Sequence, residues 1–443
     1  MTSSHPLPVP CQWFSWLATA LDRRSAPRLA LLFLGAVLAR GRRTVTAWIR
    51  AAKLSGQYQS CYIAAAAAGK RADRIARRLL TEVVRPLLKG ATRLTLALDD
   101  TPTQRYGPHV QGAGLHHNPT PGPAGSSYVY GHVFVVLGLL VTHKTWGTIA
   151  LPLLARLYVR KKDLPGIDPK HRPEFRTKLE LAVEMSRWAK PWLELLKLPT
   201  WVVADGAYAK KEVLKPAKSL GMTVVSRLRK DAALRSLPGP KPPGRRGPAP
   251  TYGPDKISLA KRAGQRRGWS TGTFDLYGEK AVKRYKTFLA TWRPAGGAIR
   301  VVLVDEATGW RAFFCTDTSA SVADILTTIA DRFSLEITFR DCKEIVGAGQ
   351  QQVRFVWANV GAFHVCLWTF TLTEAWAWGR ESEDLVDRSD SPWDSATRRP
   401  SHADKRRAWR RALLGEEIRA ALRPGGTEAE IQATAERLLG LAA

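Results

Sequence analysis

The sequence predicts an α/β protein: a mixed sheet flanked by helices, interrupted by an antiparallel β insertion and preceded by a helical region. Three observations carry this reading. Apolar runs of strand length are interleaved with two helical patterns between about residues 94 and 228, and a second set of strand-like runs joined only by turn residues lies between about 270 and 315. The first 88 or so residues hold Leu-rich, Arg-studded turns without a strand signal.

From Trp13 to Leu88 the pattern is helical and basic. Thr44 to Gly56 reads as a short helix with Thr44 as its N-cap and Gly56 as its stop, either part of a DNA-binding helical module or one member of a bundle with an Arg-coated face. The alanine run Ala64 to Ala68 carries no chemistry. At Arg93 the texture changes: Leu94, Leu96 and Leu98 alternate along LTLALDDTPTQRYG, a strand whose C-terminal edge bears Asp99 and Asp100. A Gly/Pro/His-rich loop follows. Then come strands in YVYGHVFVVLGLLVTH and TWGTIALPLLARLYV, a helix over Arg176 to Leu196, a buried strand ending at Asp205, a helix over Lys210 to Leu220 and a strand in MTVVSRLR.

Leu237 to Pro254 is a Pro/Gly/Arg linker that breaks this alternation. TGTFDLYG, AVKRYKTFLATWRP, AIRVVLVDE and WRAFFCTD form the insertion. Ile325 to Val346 is an amphipathic helix, with Ile325, Ile329, Phe333 and Ile337 on an apolar stripe and Arg332, Glu336, Arg340 and Lys343 on a charged one. A second apolar helix runs from Val353 to about Trp378. The chain thus divides into a helical region (1–90), the first part of an α/β core (91–236), linker and insertion (237–320), the closing core helices (321–380) and a basic tail (381–443). In that tail Arg398, Arg399, Lys405, Arg406, Arg407, Arg410 and Arg411 either grip phosphates or stand in solvent.

With 443 residues, 45% of them hydrophobic, and 16 Trp, the chain has material for two or three domains and is too apolar for a disordered protein. Its 68 Lys and Arg against 38 Asp and Glu give a net charge of +30, which points to a polyanionic partner, nucleic acid first. Cys11, Cys61, Cys315, Cys342 and Cys366 form no C-x-x-C pair, so they support neither a zinc module nor a disulfide framework, and a reducing cytosol fits. Arg23-Arg24 before the apolar run Leu29 to Ala39 imitates an export signal, but the run ends in Arg40, Arg42 and Arg43 rather than a cleavage site. Asn359, His364 and Glu374 interrupt the Trp-rich run Val356 to Trp378, so a buried helix is expected there and not a membrane span.

Asp100 and Asp205 stand at strand ends and Glu336 on a helix. Each has a plain reading as well: Asp99-Asp100 opens a turn before Thr101-Pro102, Asp205-Gly206 is a turn dipeptide, and Glu336 has i±4 partners in Arg332 and Arg340. Together they form the kind of trio that phosphodiester chemistry needs, because two cations about 3.5–4 Å apart must be bridged and flanked by carboxylates. His116, His117 and His132 have irregular spacing, and hard divalent ions prefer oxygen, so no ligand role is assigned to them. Trp269 and Trp292 either fill the core of the insertion or stack on an extruded base.

An Asp closing the first strand, an Asp closing the fourth, a β-rich insertion and a helical Glu resemble, in that order, the RNase H-like DDE transposases of bacterial insertion sequences. In the group with a β insertion the last motif runs Tyr, two residues, Arg, three residues, Glu, six residues, Lys. Arg332, Glu336 and Lys343 stand at those spacings here, and Ile329 holds the Tyr position. LALDDT is similar to the family's first-Asp strand, with Asp100, directly before Thr101, in the catalytic place; VVADGAY followed by VVSRLRKDAAL is similar to its second block. The resemblance covers roughly Leu94 to Trp378.

The resemblance implies Asp100, Asp205 and Glu336 as catalytic acids and metal ligands for Mg²⁺ or Mn²⁺, in a pair, with Arg332, Arg340 and Lys343 on DNA phosphates. It implies double-stranded DNA partners, namely the element's terminal inverted repeats and the target, a dimer in the synaptic complex, no membrane, and a cytoplasmic, nucleoid-associated enzyme. Two other readings stay open: a nuclease or recombinase of the same fold without strand transfer, and a DNA-binding protein with an inactive site.

Overall fold

The computed structural model describes residues 11–117, 125–241, 246–389 and 391–442. The middle parts of the Gly/Pro/His-rich loop and of the Pro/Gly/Arg linker lie outside the described residues.

One sheet organises the chain. β1 (Leu94–Gln104) lies antiparallel to β3 (Tyr128–His143) and parallel to β5 (Thr200–Ala204). β3 carries the short β2 (Gly114–His117) and β4 (Gly147–Tyr158), and β5 carries the parallel β6 (Thr223–Leu228). The strands beyond β6 are β7 (Leu234–Arg235), β8 (Lys256–Ile257), β9 (Ser270–Leu276), β10 (Glu279–Trp292), β11 (Gly297–Asp305) and β12 (Arg311–Cys315). These are antiparallel as expected, and they continue the same sheet, because β12 pairs with β6. That pairing covers an edge whose N–H and C=O groups would otherwise be open.

β1 does not stop at its acids. It runs on through Pro102, which pairs with Val133, to Gln104. Proline is tolerated because β5 ends at Ala204, level with Leu98, so β1 beyond that point has an open edge that asks for no N–H donor.

Helices α1 (Gln12–Ala18), α2 (Ser25–Leu38), α3 (Val45–Ala51), α4 (Tyr58–Lys70) and α5 (Ala72–Arg78) precede the sheet. Thr44 caps α3, its hydroxyl accepting from the Ala47 amide at 3.1 Å; the helix ends at Ala51, ahead of Gly56, where Lys53 turns to φ +57°. Crossovers α6 (Lys178–Glu194) and α7 (Lys211–Ser219) allow β1, β5 and β6 to run parallel. A capping box of Thr177 and Glu180 opens α6. After the small α8 (Leu259–Gly264) come α9 (Val322–Asp341), extended by a π-helical turn Cys342–Val346, and α10 (Val356–Ala377).

The apolar stripe expected on α9 is corrected in part. Ile325 is buried, but Phe333 is 45% exposed and Leu335 and Phe339 take the core side. Each i+4 step advances about 40° around a helix, so two steps move Phe333 well off the face of Ile325. There its ring meets Tyr277, at the β9–β10 turn, edge-on with centroids 5.9 Å apart.

α10 is buried along its length and several of its polar groups bond inside the fold. The Asn359 amide donates to Val353 O at 2.9 Å, and His364 accepts from the Ala155 amide at 3.0 Å. No helix among the described residues is long and apolar enough to cross a membrane. The alanine run explains how α10 meets α4: a Cβ on Gly361 would lie 1.8 Å from Ala65 O, and one on Gly69 would lie 2.1 Å from Trp357 O. The two backbones touch because neither side offers a larger residue.

The tail forms α11 (Ser382–Leu385), α12 (His402–Ala421) and α13 (Glu428–Ala442). Its cations are not all solvated. Lys405 and Arg406 are buried, the first on Glu374 of α10 at 2.6 Å, the second donating to Ala36 O and Ala39 O at 3.0 and 2.7 Å. Trp292 is likewise core, packed on Phe314 with centroids 5.1 Å apart. Trp269 is half-buried between Arg284 and Lys286.

Candidate active site

Sheet register decides which acids share a side. Residues paired across neighbouring strands point to the same face, and successive residues of one strand point to opposite faces. Ala97 pairs with Gly138, and a Cβ on Gly138 would lie 3.5 Å from the Leu335 side chain, so the face of Ala97 and Asp99 is covered by α9. Leu98 pairs with Ala204, which brings Asp99 level with Asp205 one step further on the same face. Asp205 remains extended and also caps the short turn after it, its carboxylate accepting from the Ala207 amide at 3.2 Å.

Arg332 joins this face to Glu336. Its Nη1 donates to Asp99 Oδ2 at 2.8 Å and its Nη2 to Glu336 Oε1 at 2.7 Å. Burial pushes the Asp99 carboxyl up to about 6, against the pull of Arg332 and of the Asp100 amide, with the negative charges of Asp100 and Asp205 adding to the rise.

Asp100 has other company. It pairs with Val135, which pairs with Arg156, and Arg156 binds Glu184 of α6 at 2.7 Å. On that face Lys178, in the first turn of α6, donates to Asp100 Oδ2 at 2.6 Å, and the Tyr208 hydroxyl donates to Oδ1 at 3.0 Å. Burial, then the charges of Asp100 and Asp99, raise the Tyr208 hydroxyl and keep it protonated. The expectation that Asp100 faces Glu336 is therefore corrected in its geometry: strand alternation gives that face to Asp99 and turns Asp100 to α6. Lys178 and Tyr208 escaped the sequence reading. The signals for them were a Lys directly after the Thr177 cap and a Tyr three residues after Asp205.

The remaining charged residues of α9 diverge. Arg340 is exposed and pairs with Asp341 at 3.0 Å. Lys343 is half-buried in the π-helical turn and makes no hydrogen bond or ion pair among the described residues; desolvation lowers its pKa. Ile329, one turn before Arg332, is half-buried against the core and offers no polar atom.

Among the described residues no group of three or more His, Cys, Asp or Glu side chains stands ready to hold a metal ion. The donor chemistry nevertheless suits a hard divalent cation, because Asp99, Asp205 and Glu336 supply only oxygen. A cation already stands between two of them, since the Arg332 guanidinium lies where positive charge is called for.

A family model described as DDE superfamily endonuclease matches residues 17–293. The matched stretch takes in the helices from α2 and the strands through β10, and it ends before α9. No curated protein matches the chain.

Proposed function

The chain belongs to the DDE superfamily endonucleases, and from that premise we propose that it is the transposase of an insertion sequence, which cuts the phosphodiester at the element's ends to a 3′ hydroxyl and joins that hydroxyl to target DNA. DNA is the substrate that the family implies. The observation that supports a catalytic site is the register of β1 and β5, which lines Asp99 up with Asp205 on the face where Arg332 reaches Glu336. The motif resemblance names Asp100 with Asp205 and Glu336, whereas Asp99, which shares its face with Asp205 and its Arg332 partner with Glu336, acts as the first acid.

Nucleases of this superfamily generally use divalent metal ions. Asp99, Asp205 and Glu336 would hold Mg²⁺ or Mn²⁺, as a pair, which would supply positive charge to polarise the phosphodiester and steady the departing oxygen. The chain's own residues do the rest. Lys343, half-buried and in no ion pair among the described residues, offers its ammonium to a backbone phosphate. Asp100, clamped by Lys178 and Tyr208, fixes the middle of β1 on its far side and so holds the Asp99 backbone in place. Two ends are joined in one event, so the working unit is a dimer on the element's terminal repeats, in the cytoplasm beside the nucleoid.

The test uses a plasmid that carries the reading frame with its own flanking DNA, incubated with the protein and Mg²⁺. Double-strand cuts at both boundaries and joined products are expected. Cuts without joining would leave an endonuclease that does not transpose. Binding without cuts, equal in the wild type and in Asp205→Asn, would leave only DNA binding.

A further inference from the structure

We infer that Arg332 is a built-in counter-cation that keeps divalent metal out of the carboxylate site until DNA draws it away, so that metal loading is gated by substrate. The inference rests on Asp99 and Glu336 being metal ligands. Its basis is one side chain with two partners from different elements: Nη1 on Asp99 of β1 at 2.8 Å and Nη2 on Glu336 of α9 at 2.7 Å, with Arg332 itself only 17% exposed.

A guanidinium is planar, always charged and shaped to bridge two oxygens, so it satisfies one oxygen of each carboxylate and neutralises the repulsion between them. A small divalent ion needs those oxygens at about 2.0–2.1 Å. It cannot take that place while a second positive charge occupies it.

An incoming phosphodiester offers the guanidinium a third anionic partner. On that transfer Asp99 and Glu336 are left as a pair of negative charges with no counter-ion, and the affinity of the site for a dication rises. Coupling of this kind is reciprocal: if DNA strengthens metal binding, metal must strengthen DNA binding by the same factor.

Two measurements test this. Mn²⁺ binding to the full chain without DNA is read from the spin-resonance signal of free Mn²⁺, for the wild type, Arg332→Gln and Arg332→Lys. Binding of a fluorescent duplex is read in Ca²⁺ and in chelator. Expected are at least tenfold tighter Mn²⁺ binding by Arg332→Gln than by the wild type, and an intermediate value for Arg332→Lys, which keeps a charge but cannot bridge. Ca²⁺ is expected to strengthen duplex binding about tenfold in the wild type and hardly at all in Arg332→Gln.

If wild type and Arg332→Gln bind Mn²⁺ equally and Glu336→Gln abolishes binding in both, the gate is overturned and the site stands. If Glu336→Gln leaves Mn²⁺ binding untouched in the Arg332→Gln background, the metal site itself has been misassigned. Arg332→Lys serves as the folded control should Arg332→Gln be unstable.

Discussion

Replacing Lys405 with Met removes one charge from a buried cluster and leaves the other behind. Glu374 is 2% exposed and accepts from Lys405 Nζ at 2.6 Å and His402 Nδ1 at 2.7 Å. Taking away one partner of such a pair costs roughly 3–5 kcal/mol, because the remaining charge has no water to turn to. Unfolding entropy is about 2.1 cal/mol/K per residue, or about 0.9 kcal/mol/K over 443 residues, so a loss of about 4 kcal/mol lowers Tm by about 4 °C. Urea unfolding at pH 7 followed by circular dichroism measures the loss, and duplex binding measured alongside should keep its salt dependence, because the Lys405 charge is spent inside the fold. The double variant Glu374→Gln/Lys405→Met, which leaves no unpaired charge, should recover most of the loss.

The same pair predicts a pH dependence. Burial alone would raise the Glu374 carboxyl; the Lys405 charge and the His402 hydrogen bond overcome it and hold the group at about 2, below its ordinary 4.5. A depressed folded-state pKa stabilises the fold above about pH 4.5, and that contribution, on the order of a few kcal/mol, is lost as pH falls toward 2. In Lys405→Met this acid-side decline should largely disappear. A single-variant loss below about 1 kcal/mol, or a double variant no more stable than the single, would refute the claim that this pair fastens α12 to α10.

Asp99→Asn, Asp205→Asn and Glu336→Gln should each abolish divalent-dependent cleavage of element-end DNA, with Asp100→Asn milder; strong loss in Asp100→Asn and little in Asp99→Asn, measured by product formation on the same duplex, would return the first-acid role to Asp100. Lys343→Gln should reduce the slope of log affinity against log salt by about 0.9, measured in Ca²⁺, whereas a fall in Tm with an unchanged slope would make Lys343 a structural residue. Gly361→Ala should cost about 3 kcal/mol, since its Cβ would meet Ala65 O at 1.8 Å, while Gly379→Ala, with nothing within 4 Å, should be neutral; equal unfolding midpoints would show that α4 and α10 do not pack as described.

Local chemistry was enough to read most elements. Alternation marked β1, apolar runs of strand length marked β3, β4, β5 and β6, Thr44 marked the start of α3, and polar residues inside an apolar run marked α10 as core. These signals sit within a turn or a strand length of the residues they describe. Asp205 and Glu336 were also legible as candidates, because an Asp closing a strand and a helix with a single Glu among bases are features of the sequence itself, whereas the sequence reading put Asp100 beside them and not Asp99.

What the sequence could not carry was anything set by two distant segments at once. Asp99 and Asp100 are adjacent and chemically alike; only the register of β1 with β5, and the opposite sides taken by α6 and α9, gives one of them Arg332 and the other Lys178. Arg332 looks like a helical i+4 partner of Glu336 until β1 brings Asp99 to its other nitrogen, 233 positions away in sequence. Lys405 and Arg406 read as a basic tail until α10 and the end of α2 supply Glu374 and bare carbonyls to receive them. A charge pattern tells how many cations a segment has, whereas whether each meets solvent, a phosphate or a buried carboxylate depends on which face of which element closes over it, and that is decided by packing.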